Sequence, residues 1–312
     1  MADKTVKNII SLQAVVDKRS NKIIFVESDK DFIDVLLSFL TILMGAIVKR
    51  DTKHLVSRCM NNLSASVWGL FQTEACKEML LCPHNGAESH SENLKLKIDN
   101  DEPTRCMNVK CPLSVSSSVE QDGGIFVKES ARFIVSVDLR MMSPLSVASD
   151  PVFTKLGAMN ENSTTEQRTL NIGAHEVLNL LLRSLVSKKP LSEILLKLDP
   201  VPIPNPNLSL DQLILTSIES LLLGDIMNEE EEERIVVKLT VSVSKDIVCY
   251  PEAGEDFANL LLSFLTVPLG FIVKYMRDAS FKGCIDQLHK CVKDLDEQHL
   301  KSNYHREILL SP

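Results

Sequence analysis

The segment Asp31 to Lys49, DFIDVLLSFLTILMGAIVK, returns at Asp256 to Lys274 as DFANLLLSFLTVPLGFIVK, with 12 of 19 positions identical at an offset of 225 residues. The same offset relates Glu27 to Glu252, Cys59 to Cys284 and Leu63 to Leu288. After a slip of four residues, KEMLLCP at Lys77 to Pro83 is answered by HREILLSP at His305 to Pro312. A chain that repeats at this range folds the same stretch twice and must find cover for two apolar surfaces of one kind. The division this implies is a first complete unit over residues 1–226, subdivided near 94–123, an acidic linker over 227–234, and a partial second copy over 235–312 that matches 10–83.

Local patterns give each copy its elements. Leu12 to Asp17 and Lys22 to Glu27 are Val/Ile-rich runs separated by Lys18 to Asn21, which predicts a β-hairpin. The second copy repeats it over Val236 to Val243 and Asp246 to Tyr250, where apolar and polar residues alternate, so one face is expected to be buried and one wet. Helices are predicted from Asp29 to Asp31 and from Gly254 to Asp256, where carboxylates meet the positive end of the helix dipole. Each ends near Thr41 or Thr266, because Pro268 suits the first turn of a new helix and not the middle of an old one. A further helix runs through Cys59 to Trp68. In the middle of the chain Gly124 to Phe126 and Arg132 to Leu139 read as strands, and Glu176 to Val186 and Pro190 to Leu196 as helices. EVLNLLL at Glu176 beside DFIDVLL at Asp31 suggests an older duplication within the unit. Ala87 to Asn93, Val115 to Gly123 and the proline-rich Asp199 to Asn207 read as linkers, and Glu229 to Glu233 as a solvated acidic junction.

Four of these stretches, VVDKRSNKIIFVESDKDFIDVLLSFLT, CKEMLLCP, GGIFVKESARFIVSVDLRMM and LNIGAHEVLNLLLRSLVSKKPLSEILL, occur in an order that resembles the plant family called domain of unknown function 674. The resemblance runs from about Val6 to Pro312 and implies no activity, substrate or catalytic residue. Members commonly hold two near-complete units, so this chain resembles a version whose second unit is cut short. Members also often carry two cysteine pairs in the middle of the unit, one of them Cys-x-Cys-Gly. Cys106 and Cys111 stand where the first pair would be, and Val115 to Gly123 holds no second pair.

Bulk properties exclude some classes of partner. A net charge of −8 and a pI near 5.5 argue against nucleic acid or an anionic membrane held by general electrostatics. The first residues show no apolar core of a secretory signal, so a cytoplasmic location and reduced thiols are expected. The apolar stretch Val35 to Val48 would span about 21 Å as a helix, short of the roughly 30 Å hydrocarbon layer. Core helices are the reading of that stretch, with peripheral membrane contact as the alternative.

The candidate chemistry is sparse. Cys82, His84, Cys106 and Cys111, with Cys76 nearby, are soft and borderline donors of the kind zinc takes in a tetrahedral structural site, although Cys82-x-His84 is tight and Cys106-x4-Cys111 wide for paired ligands. Zinc is the one cofactor the sequence suggests, as a loop staple. Glu27, Asp31 and Asp34 could form an acid/base set, but Asp34 becomes Asn259 in the copy and the first two suit a helix start. Cys291 with His289 or Cys284 could form a thiol site; a half-buried helix stripe accounts for the same spacing. Gly123-Gly124 lacks the frame of a phosphate loop.

These features predict an α+β protein of duplicated hairpin-plus-helices modules, with antiparallel strands packed against apolar helices. The function they favour is a non-enzymatic cytosolic interaction or scaffold protein whose partner is another protein or a second copy of itself. The alternatives are a small-molecule binder or enzyme with a pocket between the modules, and a peripheral membrane protein. Residues 1–83 are expected to pair with 235–312 within the chain, and apolar surface left by the shorter copy requires cover.

Overall fold

Alternating Val and Ile residues make Ile10–Asp17 (β1) and Lys22–Ser28 (β2) an antiparallel hairpin. Its turn is set by Asp17, whose carboxylate accepts the Arg19 and Ser20 amides, and by Asn21, which takes a positive φ of 47°. The computed structural model describes residues 8–51, 58–70, 94–96, 125–128, 132–143, 165–198, 235–242, 247–275 and 283–311, and all structural statements refer to these. Phe133–Ser136 (β3), Met141–Met142 (β4) and Thr165–Ile172 (β5) complete a five-stranded antiparallel sheet in the order β4-β3-β2-β1-β5. β5 lies along the whole of β1, from Ile10 opposite Ile172 to Asp17 opposite Thr165.

Asp29 caps Lys30–Ser38 (α1) by accepting the Asp31 amide, and a 3-10 turn at Phe39–Thr41 leads into Met44–Arg50 (α2) and Arg58–Leu70 (α3). Ala174–Val186 (α4) starts where the Glu176 carboxylate accepts the Gly173 amide, and Pro190 opens Pro190–Leu195 (α5). α5 is tied to the hairpin by the Ile23 amide, which donates to Ser192 Oγ at 3.0 Å.

The second copy holds Val237–Ser242 (β6), Ile247–Ala253 (β7), Glu255–Ser263 (α6), a 3-10 turn at Phe264–Thr266, Leu269–Tyr275 (α7), Ile285–Asp294 (α8) and Asn303–Leu310 (α9). The elements from β7 to α7 begin and end 225 residues after those from β2 to α2. Even the irregularity in strand register recurs, between Val15 and Val16 and again between Thr240 and Val241. The protein is therefore α+β. β6 and β7 form a separate two-stranded ribbon and do not join the main sheet.

One apolar cluster runs through both copies. Phe32, Leu36, Phe39 and Leu40 from the first meet Leu265, Leu269, Ile285, Leu288 and Leu309 from the second, and all are at most 1% exposed. The apolar stretch from Val35 to Val48 is thereby built into the core, and no described helix is long and apolar enough to cross a membrane. The expected contact between residues 1–83 and 235–312 is made by two reciprocal backbone bonds at offset-related positions. The Met44 amide donates to the Val267 carbonyl at 3.0 Å and the Leu269 amide to the Ile42 carbonyl at 2.8 Å, with Leu43 opposite Pro268.

Two expectations change. Of the strand expected over Gly124 to Phe126, Gly124 lies outside the described residues and Ile125 and Phe126 are not in a strand: residues 125–128 make a single bridge, Val127 to Leu300, because the Ile125, Phe126 and Val127 amides turn toward a side chain. β5 is a strand that its polar sequence TEQRTLNI does not predict; its outward residues hydrogen-bond across to β1, as in Ser11 to Asn171 at 2.8 Å.

The joint between copies leaves no room at Gly270, where an added Cβ would lie 2.9 Å from both the Leu40 and Leu309 carbonyl oxygens. Gly270→Ala is expected to cost about 2 kcal/mol, the scale of an overpacked core, measured as a lowered midpoint in urea denaturation with an unchanged slope.

Candidate functional site

The hairpin of the second copy repeats the apolar residues of the first without their cover. Ile10 and Ala14 on β1 are 2% and 0% exposed, whereas their counterparts Ile235 and Leu239 are 45% and 55% exposed. Val236 and Tyr250 on the other face are 81% and 53% exposed. This corrects the expectation of one buried and one wet face. In the first copy β5 pairs along the whole edge of β1, and the apolar residues of β1 share one buried cluster with those of α4 and α5; among the described residues no strand pairs with the outer edge of β6.

The two edges of the ribbon differ. Pro251 removes a backbone donor from β7, a device that blunts an edge strand, while β6 carries no proline. Lys238 and Glu252 pair across the ribbon at 3.3 Å, both well exposed, so the pair adds little to stability. The helix that follows, α6, shares the exposure: Asn259 is exposed at the position where Asp34 of α1 is 4% exposed.

The carboxylates do not converge. Glu27 lies in β2 opposite Gln13 and is not at a helix start as expected, because Asp29 takes the cap. Asp31, in the first turn of α1, pairs with Lys95 at 2.9 Å. Asp34 accepts three successive backbone amides, from Ile125 at 2.8 Å, Phe126 at 2.9 Å and Val127 at 3.1 Å. Burial outweighs these donors and holds its carboxyl above the usual range. A row of amides of the kind that cradles phosphate is thus present beside Gly124, and the protein's own carboxylate fills it.

The thiols are set against nucleophilic chemistry. Burial raises the Cys284 thiol far above its ordinary value and pushes Cys291 up to about 11. Cys291 Sγ also accepts the Met141 amide at 3.2 Å, which docks α8 on β4. His289 is two residues from Cys291 and does not share its face of the helix. Burial, reinforced by Lys293 and Lys274, pushes His289 down to about 4, against a weaker upward pull from the Leu310 backbone. The half-buried stripe expected of this helix is what it presents.

Cys82, His84, Cys106 and Cys111, together with Cys76, lie outside the described residues, as does the acidic run Glu229 to Glu233. Among the described residues no cluster of three or more His, Cys, Asp or Glu is arranged to hold a metal ion. The uncovered ribbon was not legible as a site, because its sequence is that of an ordinary half-buried hairpin; only the contrast with β1 exposes it.

An α+β chain with this order of elements matches the family model described as "Protein of unknown function (DUF674)" over residues 6–119 and again over 107–311. The chain belongs to that family. No curated protein and no solved structure matches it.

Asp34→Ala leaves three backbone amides, two of them buried, without an acceptor and is expected to destabilise the fold by about 3 kcal/mol in chemical denaturation, with Asp34→Asn intermediate because its NH2 group cannot accept. His289 supplies a pH dependence of known sign. Between its free value of 6.5 and about 4 the unfolded chain binds a proton that the folded chain does not. Stability therefore falls as pH drops through that window, by at most about 3 kcal/mol. Urea titrations at pH 7, 5 and 4 check this, and His289→Leu should flatten the His289 part of the slope.

Proposed function

We propose that this protein is a non-enzymatic interaction protein of the cytosol, built from a duplicated hairpin-plus-helices module, whose contact surface is the β6–β7 ribbon. The observation that carries the reading is that Ile235 and Leu239 are exposed where Ile10 and Ala14 are buried, so one copy of the module shows its core residues to solvent. Exposed apolar clusters of this kind mark docking surfaces in proteins that remain soluble. Two further features support it. The helices α7, α8 and α9 of the second copy are built into the common core, and α6, which carries the ribbon, reaches that core through Leu262. The buried carboxylate and thiols are each engaged in backbone contacts or raised by burial, which suits structural roles.

A photo-crosslinking residue placed at position 236, and in a separate protein at the equivalent position 11 of the first hairpin, tests the reading in cells. Discrete cross-linked species of defined mass are expected from 236 and none from 11. Equal yields from the two positions, or no discrete species from 236, would sink it.

A further inference from the structure

We infer that the occupant of the ribbon is a second copy of this chain, added edge to edge through β6 in an antiparallel, two-fold symmetric pair. This rests on the reading of the ribbon as a contact surface and names its partner. The edge itself selects the mode. Among the described residues β6 pairs with β7 on one side and with nothing on the other, and β7 lacks the Pro251 donor, so strand addition falls to β6. The chain also shows how such an edge is completed, since β1 at the equivalent place is paired antiparallel along its full length by β5.

The sequence of β6 suits self-pairing. A two-fold axis through Leu239, perpendicular to the ribbon, sets Leu239 opposite Leu239 of the second copy, Val237 opposite Val241 and Lys238 opposite Thr240. Residues directly opposite share a face, so Val237 and Leu239 of both copies fall on one face of the paired strands. No like charges meet, because Lys238 is the only ionisable residue of β6 and faces a threonine. Such a contact is isologous and closes at two copies.

Sedimentation of the purified full chain over a dilution series tests this. The wild type is expected to be a dimer that dissociates on dilution. Leu239→Glu, which sets two carboxylates against each other at the axis, should weaken it by more than about tenfold. Tyr250→Ser, on the other strand and the opposite face, should leave it intact. Circular dichroism of Leu239→Glu should match the wild type, since Leu239 is 55% exposed. A wild type that stays monomeric at every concentration overturns the proposal. So does a dimer that persists in Leu239→Glu, and so does equal loss in both variants, which marks unspecific apolar association. Discrete cross-links at position 236 to a different polypeptide, with a monomeric pure protein, would refute self-pairing alone; their absence as well would refute the interaction reading.

Discussion

The Asp34 carboxylate is the point to which separate parts of the chain are tied. It sits in the middle of α1, deep in the core, and accepts the amides of Ile125, Phe126 and Val127. Those contacts orient the next backbone groups toward the second copy, where Lys128 donates to the His299 carbonyl and Lys301 to the Phe126 carbonyl. One side chain thus connects a helix of the first copy, a segment from the middle of the chain and the approach to α9. A buried carboxyl group is costly by itself; three donors offset that cost only when all are in place, which makes the arrangement specific as well as cohesive.

The copies diverge around this point. α1 is covered on the side of Asp34, whereas α6 has Asn259 there, exposed. The helices α7, α8 and α9 enter the core by way of the reciprocal bonds at Leu43 and Pro268, so the second copy is anchored by its later elements. Its hairpin stays outside. The sequence of that hairpin kept apolar residues at the positions that β5, α4 and α5 cover in the first copy, and this mismatch between composition and exposure is the physical basis of the proposed contact surface.

Much of the fold was legible because it depends on short-range chemistry. The hairpin β1–β2 follows from Val/Ile runs around a turn with Asp17 and Asn21, the start of α1 from Asp29, and the break before α7 from Pro268. β5 was not legible, since an edge strand with a wet outer face has little apolar signal. Residues 125–128 differ from their strand-like pattern for another reason: their amides serve a side chain 91 residues away from Ile125, and no local pattern encodes that partner. The acid/base and thiol candidates dissolved on the same ground. Cys284 stands at the start of α8 with its amide on the Ser184 carbonyl of α4, and Cys291, seven residues on, accepts the Met141 amide of β4, so the two thiols serve different packing contacts.

The sequence by itself determined the repeat, the type and boundaries of most elements in both copies, and the burial of the apolar stretch from Val35 to Val48, because periodicity, caps and proline act within a few residues. Only the tertiary structure decided that Asp34 is a buried carboxyl group held by backbone amides, that the copies join at Leu43 and Pro268, and that two hairpins of one pattern meet opposite fates. Those outcomes depend on which distant segment lies alongside. An alternating strand specifies a face that wants cover, and the rest of the fold determines whether cover arrives.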